Sequence, residues 1–235
     1  MEVRIKDKTK TLEKIMNYKK TMVLKTKEEV DALLKKCQAI HLTSPKIFEG
    51  NFYKIAQVDV KYPSGKTESR EYLNKANEVC MIIPVTADGN FVMIIQPITC
   101  ASEGSLIEFP AGYLEKDETS LESGIRQLKE ETGYIASEFI PLGEHYQDPG
   151  AIKQPVYVYL ALGCKQTRNQ SLDEGEYIIC VEIPYDLMIE LFKNNYFKDA
   201  NTLAAFTKSI LLHSEKLKDY IPEFVTVNNT SYLNL

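Results

Sequence analysis

Residues 112–134 read GYLEKDETSLESGIRQLKEETGY, which places Gly112, Glu118, Arg126, Leu128, Glu130, Glu131 and Gly133 at set offsets. Thr119 or Ser120, with Glu122 or Ser123 three positions on, starts a helix, and Gly133 after Thr132 stops it. The stretch therefore predicts a helix over about 119–132. Residues three and four apart share a helix face, so position 127 neighbours Glu130 and Glu131, and Arg126 lies one turn before Glu130. Leu121, Ile125, Leu128 and Thr132 recur at helical spacing; that face packs on a sheet while the acidic one looks into a cleft. Carboxylates that repel one another are gathered here, with Glu115, Glu118 and Glu122 close by. Such a face suits magnesium or manganese, which take hard oxygen ligands. A solvated helix rich in Glu, Lys and Arg is the blander reading. Six specified residues at six offsets arise by chance at far below roughly one in ten thousand, given usage of about a twentieth per residue type.

The run resembles the Nudix box: G, five residues, E, seven residues, then R-E-aliphatic-x-E-E-x-G. Every charged and glycine position is matched except Gln127, where the family has glutamate. Upstream, the apolar run Phe91–Pro97 and then Leu106-Ile-Glu-Phe-Pro-Ala-Gly112 look like the ADP-sugar pyrophosphatase branch, whose E-x-P-A-G segment enters the box. Downstream, Tyr146-Gln-Asp-Pro-Gly150 resembles that branch's S-P-G loop, with Pro149 fifteen residues after Tyr134. Val156–Ala161 alternates like a strand, Asp173-Glu-Gly-Glu176 leads into a strand from Tyr177 to Ile183, and Asp199 opens a terminal helix, all in the branch's order.

The resemblance implies an α/β/α sandwich around a mixed sheet, preceded by a small β subdomain and a helical N-terminal leader. It implies metal-dependent hydrolysis of a nucleoside diphosphate-linked substrate, foremost an ADP-sugar such as ADP-ribose, to AMP and a sugar phosphate. By the same resemblance Mg2+ or Mn2+ is held by Glu131, Glu130, Gln127 and the Ala111 carbonyl, with Glu131 the strongest ligand left. Glu130 and Glu131 carry the catalysis, together with Gln154, which sits where the branch has a water-activating glutamate. Gly112, Glu118, Arg126 and Gly133 shape the box, Arg126 orienting one of its carboxylates. Phe52 or Tyr53 would stack on adenine, though aromatics there also fill intersheet cores, and the small sheet would support a homodimer. Glu108, just before the Pro-Ala-Gly turn, is a candidate polar substrate contact.

Three departures bear on activity. The Gln127 amide can coordinate but carries no charge. Gln154 cannot act as a base at neutral pH. Ile98 stands where the branch often has a phosphate-binding arginine, so a bidentate contact is missing. They keep open an alternative, a catalytically lapsed member that binds a nucleotide as a sensor or regulatory module.

The chain has 235 residues, 44% of them apolar, which suits one domain with an extension. The expected division is a basic helical extension at 1–45, the small β subdomain at 46–76, the main domain at 77–220 and a tail at 221–235. Residues 1–40 hold eleven Lys and Arg against six Asp and Glu, net +5, which leaves −10 for the remainder of a total of −5. Within that leader an amphipathic helix is expected over about 27–39, with an earlier one over 12–18. The charge is too balanced, and too poor in clustered Arg, to argue for nucleic acid. Cys37, Cys80, Cys100, Cys164 and Cys180 are odd in number and lack CxxC spacing, so a reduced, cytoplasmic protein is expected. The charged start MEVRIKDKTK and the lack of any long apolar run argue against a signal peptide or a membrane partner. Phe52–Val60 alternates, Pro63-Ser-Gly65 turns, and Thr67–Tyr72 returns, which reads as a hairpin. Of His41, His145 and His213, only His145 lies near the loop after the box, and a structural role is the better reading for it.

Overall fold

The computed structural model of the chain describes residues 40–50, 54–74, 77–98, 100–102 and 104–221. The leader helices, Phe52, Tyr53, Cys37 and the tail from 222 lie outside the described residues. Two compact units are present among the described residues, one holding residues 40–45 and Val58–Arg70, the other the described residues of 46–57 and 71–221.

In the first unit β1 (Ile40–His41) pairs antiparallel with the far end of a later strand, Ile40 opposite Lys61 and His41 opposite Val60. In the second unit β2 (Lys46–Glu49) pairs with the start of that strand, β3 (Lys54–Lys61), from Lys46 opposite Gln57 to Glu49 opposite Lys54. The chain turns at Pro63–Gly65 and returns as β4 (Thr67–Leu73), as the hairpin reading expects. Gly65 has φ +85°, a conformation that glycine adopts without steric cost.

The main sheet is built from β5 (Val79–Thr86), β6 (Phe91–Pro97), β7 (Ser105–Glu108) and β8 (Ala111–Tyr113), and, after helix α1 (Ser120–Thr132), from β9 (Tyr134–Ile135), β10 (Glu138–Tyr146), β11 (Pro155–Gln166) and β12 (Ile179–Ile183). Helices α2 (Tyr185–Lys193) and α3 (Ala200–Lys218) follow. The strand order is β10-β11-β5-β6-β12, with β7 on β6, β8 on β5 and β9 on β11. β5 and β11 run parallel, Val79 beside Val156, and their neighbours are antiparallel, so the sheet is mixed.

Strand side chains alternate between faces, and β5 uses both. Cys80 and Ile82 pack with Leu128 of α1, whereas Met81, Ile83 and Val85 join the core of Phe91, Phe109, Phe206 and Leu217 on the side of α2 and α3. Helices thus cover both faces. Phe91 and Phe206 meet edge to face at 5.5 Å, an arrangement that adds about 0.5–1.5 kcal/mol to area burial.

The helix bounds match the sequence expectation, with Thr119 as N-cap, a reciprocal capping box with Glu122, and Gly133 left-handed at the C-cap. Its packing stripe matches in part, Leu128 and Thr132 being buried as expected and Ile125 not. The buried residues are Ser123, Gly124, Leu128, Glu131 and Thr132, while Ile125 is 41% exposed. Gly124 explains the rotation: a Cβ there would lie 2.8 Å from Cys80 Sγ and closer still to Ile82, so the missing side chain lets this line approach the sheet. The strand expected from Tyr177 begins at Ile179, and Tyr177 is exposed, because Ile178 belongs to a loop tied elsewhere. The sequence reading passed over strands that include β5 and β10, and the helix α2. The apolar spacing Tyr185, Met188, Ile189 and Phe192 after Pro184 carries the signal for α2.

Candidate active site

β8 and the turn after it lead straight into α1, so the segment with the Pro-Ala-Gly turn and the helix with the acids share one wall. Arg126 organises its centre. Nε and Nη2 donate to the two oxygens of Glu118 at 2.9 and 2.8 Å, Nη1 to Glu130 at 3.1 Å, and Nη2 also to the Tyr113 carbonyl at 3.0 Å. A forked guanidinium suits two-point capture of a carboxylate. The pairing holds the Glu118 carboxyl down at about 2 and raises the Arg126 guanidinium above its ordinary range.

Glu131 lies at the other extreme. It is 7% exposed, and Oε2 accepts from the Ala111 N–H at 3.0 Å. Burial pushes its carboxyl up to about 8; the Ala111 bond opposes the rise, and the charges of Glu176, Glu108 and Glu130 add to it. Gln127, one turn before Glu131, presses its amide against Gly112, where a Cβ would overlap it. Gly112 is thereby explained without appeal to backbone conformation. Between β8 and α1, Glu115 N–H donates to Glu118 at 2.9 Å. Asp117 takes a left-handed φ of 67°, which is uncommon for a residue with a side chain.

These groups face a cavity of 990 Å³. Its walls carry Glu78, Glu115, Glu118, Glu131, Asp173 and Glu176 against two cations, Lys116 and Arg126. Of the residues singled out from sequence, Ala111, Gly112, Glu118, Arg126, Gln127 and Glu131 line this space, while Glu108, Glu130, Gly133 and Gln154 are not on its wall. Glu130 is committed to Arg126. Glu108, raised by burial, accepts from the amide of Gln96 at 2.9 Å, and Gln96 does line the cavity. Gln154 is 4% exposed and donates to the Asn77 carbonyl at 2.6 Å. His145 sits away from the wall, its Nε2 3.0 Å from Asn201 Oδ1. By sequence alone Asp173 and Glu176 read only as the lead into a strand. Two acids astride Gly175 were the signal that the loop serves the cavity.

An oxygen-rich wall with this surplus of acid suits a hard divalent cation. Among the described residues no three His, Cys, Asp or Glu side chains stand close enough to hold a metal by themselves. The Gln127 amide and backbone carbonyls would therefore have to share in any shell. Burial pushes the Cys80 and Cys164 thiols up to about 12, so neither supplies a thiolate at neutral pH.

Comparison with known proteins gives a consistent answer. A family model described as NUDIX domain matches residues 76–206. Over 168 residues the chain is 31% identical to a methanol dehydrogenase activator from Bacillus methanolicus, covering 70% of this chain and 88% of that protein. Over 166 residues it is 31% identical to the ADP-ribose pyrophosphatase of Bacillus subtilis strain 168, with the same coverage. It is 28% identical over 181 residues to a GDP-mannose pyrophosphatase from Escherichia coli, covering 71% and 92%. Among solved structures, one described as an ADP compounds hydrolase superposes with a TM-score of 0.60 at 22% identity, covering 71% of this chain and 92% of the other, a likeness of fold.

Proposed function

The chain belongs to the NUDIX domain family, and from that premise we propose that it hydrolyses the phosphoanhydride of a nucleoside diphosphate joined to a second group. An ADP-sugar such as ADP-ribose is the foremost substrate, giving AMP and a sugar phosphate. The observation that carries this reading is the meeting of Ala111, Gln127 and Glu131 with the Arg126–Glu118 pair on one acidic cavity. The cavity is large enough for a nucleotide sugar: ligand pockets run to about 1,000 Å³.

A diphosphate entering so acidic a wall needs its charge offset. Glu131, Gln127 and the Ala111 carbonyl would hold magnesium or manganese, which when bound neutralises phosphate oxygens and polarises the bond that breaks; Glu130, off the wall and paired with Arg126, would join them only by releasing that arginine. The protein's own groups do the rest. Arg126, spent on Glu118 and Glu130, keeps the acidic turn in place rather than meeting substrate. Lys116 is the wall cation without an ion pair among the described residues, and it stands ready for a phosphate oxygen. Water forms a new bond to one phosphorus while the bridging P–O bond breaks and the departing phosphate keeps the electron pair. Asp173 or Glu176, on the wall beside Glu131, accepts the proton released.

The four described cysteines are free thiols, which supports a reducing, cytoplasmic location. No helix among the described residues is long and apolar enough to cross a membrane. The protein is taken to be a homodimer through its small sheet, the subdomain expected at 46–76; light scattering should return the mass of two chains, and the mass of one would end that reading.

The test of function is turnover of a panel of nucleotide sugars with magnesium, then manganese, by the parent, Glu131→Gln and Gln127→Glu. The parent should cleave an ADP-sugar and stop on chelation. Glu131→Gln should lose at least about a hundredfold, and Gln127→Glu should be faster than the parent. A second reading, nucleotide binding without turnover, is favoured by one feature, the uncharged Gln127 beside an Arg-paired Glu130. It would be adopted if the parent bound these compounds at equilibrium and cleaved none.

A further inference from the structure

The last carbonyls of a helix have no partner within it and are met by solvent or by a cap. At the C-terminal end of α1 they are met by one loop, residues 167–178. The Lys129 carbonyl accepts from Arg168 Nε at 3.3 Å and Nη2 at 3.2 Å, the Glu130 carbonyl from Ser171 N–H at 2.8 Å, and the Gly133 carbonyl from Thr167 N–H at 3.0 Å. Gln170 meets the carbonyl of Glu131 itself, its Nε2 donating at 2.5 Å. The same nitrogen, which carries two hydrogens, donates to the Ile178 carbonyl at 3.2 Å, at the far end of the loop.

One amide therefore joins the backbone of Glu131 to the point where the chain enters β12. Between its two anchors lie Asp173 and Glu176, tied to each other by a 3.0 Å bond from Asp173 N–H to the Glu176 carboxylate and by Glu176 N–H to the Asp173 carbonyl at 3.1 Å. Both acids line the cavity that Glu131 lines. We propose that Gln170 is a positioning residue: it fixes the Asp173–Glu176 turn against the last turn of α1, so that carboxylates from two distant segments act on one bound diphosphate as a unit. This rests on the hydrolase reading above. A packing role alone would account for a bond to Glu131 or to Ile178, but it does not require one side chain to bridge both across the two acids.

Gln170→Leu keeps the bulk and removes both donors. Misplaced carboxylates should slow kcat by about tenfold or more while KM stays within a few-fold. Gln170→Lys, which restores a donor at similar reach, should recover most of the loss. In a Glu176→Gln background the Gln170→Leu change should cost almost nothing further, because its effect passes through the acids it holds. Manganese affinity, read by electron paramagnetic resonance without any substrate, should weaken several-fold in Gln170→Leu. Multiplicative losses in the double variant, together with parental manganese affinity in Gln170→Leu, would overturn the proposal and leave the hydrolase reading intact. A parent that binds manganese but cleaves no nucleotide sugar would remove the hydrolase reading, and the manganese comparison alone would then decide the role of Gln170.

Discussion

Arg126 sits between the carboxylates of Glu118 and Glu130, and its pairing with Glu118 ties stability to pH. The Glu118 carboxyl falls from 4.5 to about 2 when the chain folds onto Arg126. A lowered pKa means that the folded state binds this proton less readily than the unfolded state. The stabilisation is therefore complete above about 4.5 and drains away as pH falls toward 2. After allowance for solvent screening it is on the order of 1–2 kcal/mol. Glu118→Gln should flatten the acid limb of the melting-temperature profile over that interval, and an unchanged slope would count against the pairing. The spacing of Arg126, Glu130 and Glu131 was legible in the sequence because helix periodicity puts them on neighbouring faces, whereas Glu118, ahead of the helix, was legible only through the resemblance of the box. The burial of Glu131 was not. It depends on the Ala111 N–H reaching across from β8, a long-range fact that no local pattern encodes.

For α1 as an element, the ends were readable and the buried face only in part, Leu128 and Thr132 lying inward and Ile125 outward. Capping is local: Thr119, Glu122 and Gly133 declare the ends through side-chain and backbone hydrogen bonds within a few residues. Rotation about the helix axis is settled by the sheet, through the space that Gly124 leaves for Cys80 and Ile82. Away from the sheet, replacing a helical glycine gains up to about 1 kcal/mol of helix propensity. Here Gly124→Val should instead cost about 2–3 kcal/mol, since extra methyl groups in a packed interface force neighbours off their rotamers. Ile125→Ala, at a position the periodicity had placed inward, should fall within about 1 kcal/mol of the parent. Denaturant midpoints would distinguish the two faces, and the reverse order of effects would restore the stripe through Ile125.

Across the whole molecule, α/β layering was legible through the resemblance of the box and its flanks, and the strand-like runs at Phe52–Val60, Thr67–Tyr72, Phe91–Pro97, Val156–Ala161 and Tyr177–Ile183 stand where strands form, in whole or in part. Their pairing was not legible. Val79–Thr86 is a continuous apolar run with nothing in it to announce that its parallel neighbour begins at Pro155. The same limit hid Asp173 and Glu176, which reach the cavity only because β11 has already crossed the sheet.

That crossing has a consequence for the chain during its synthesis. The entire acidic helix has been translated by residue 132, yet β5, which supports it, stays without its parallel neighbour until β11 emerges, and Leu217 packs on the other face later still. Contacts so far apart in sequence form late, after the loop between them has closed. A nascent chain halted before residue 155 would carry the whole motif but neither β11 nor the wall acids Asp173 and Glu176, so capacity to cleave should arrive with the closing strands rather than grow with length.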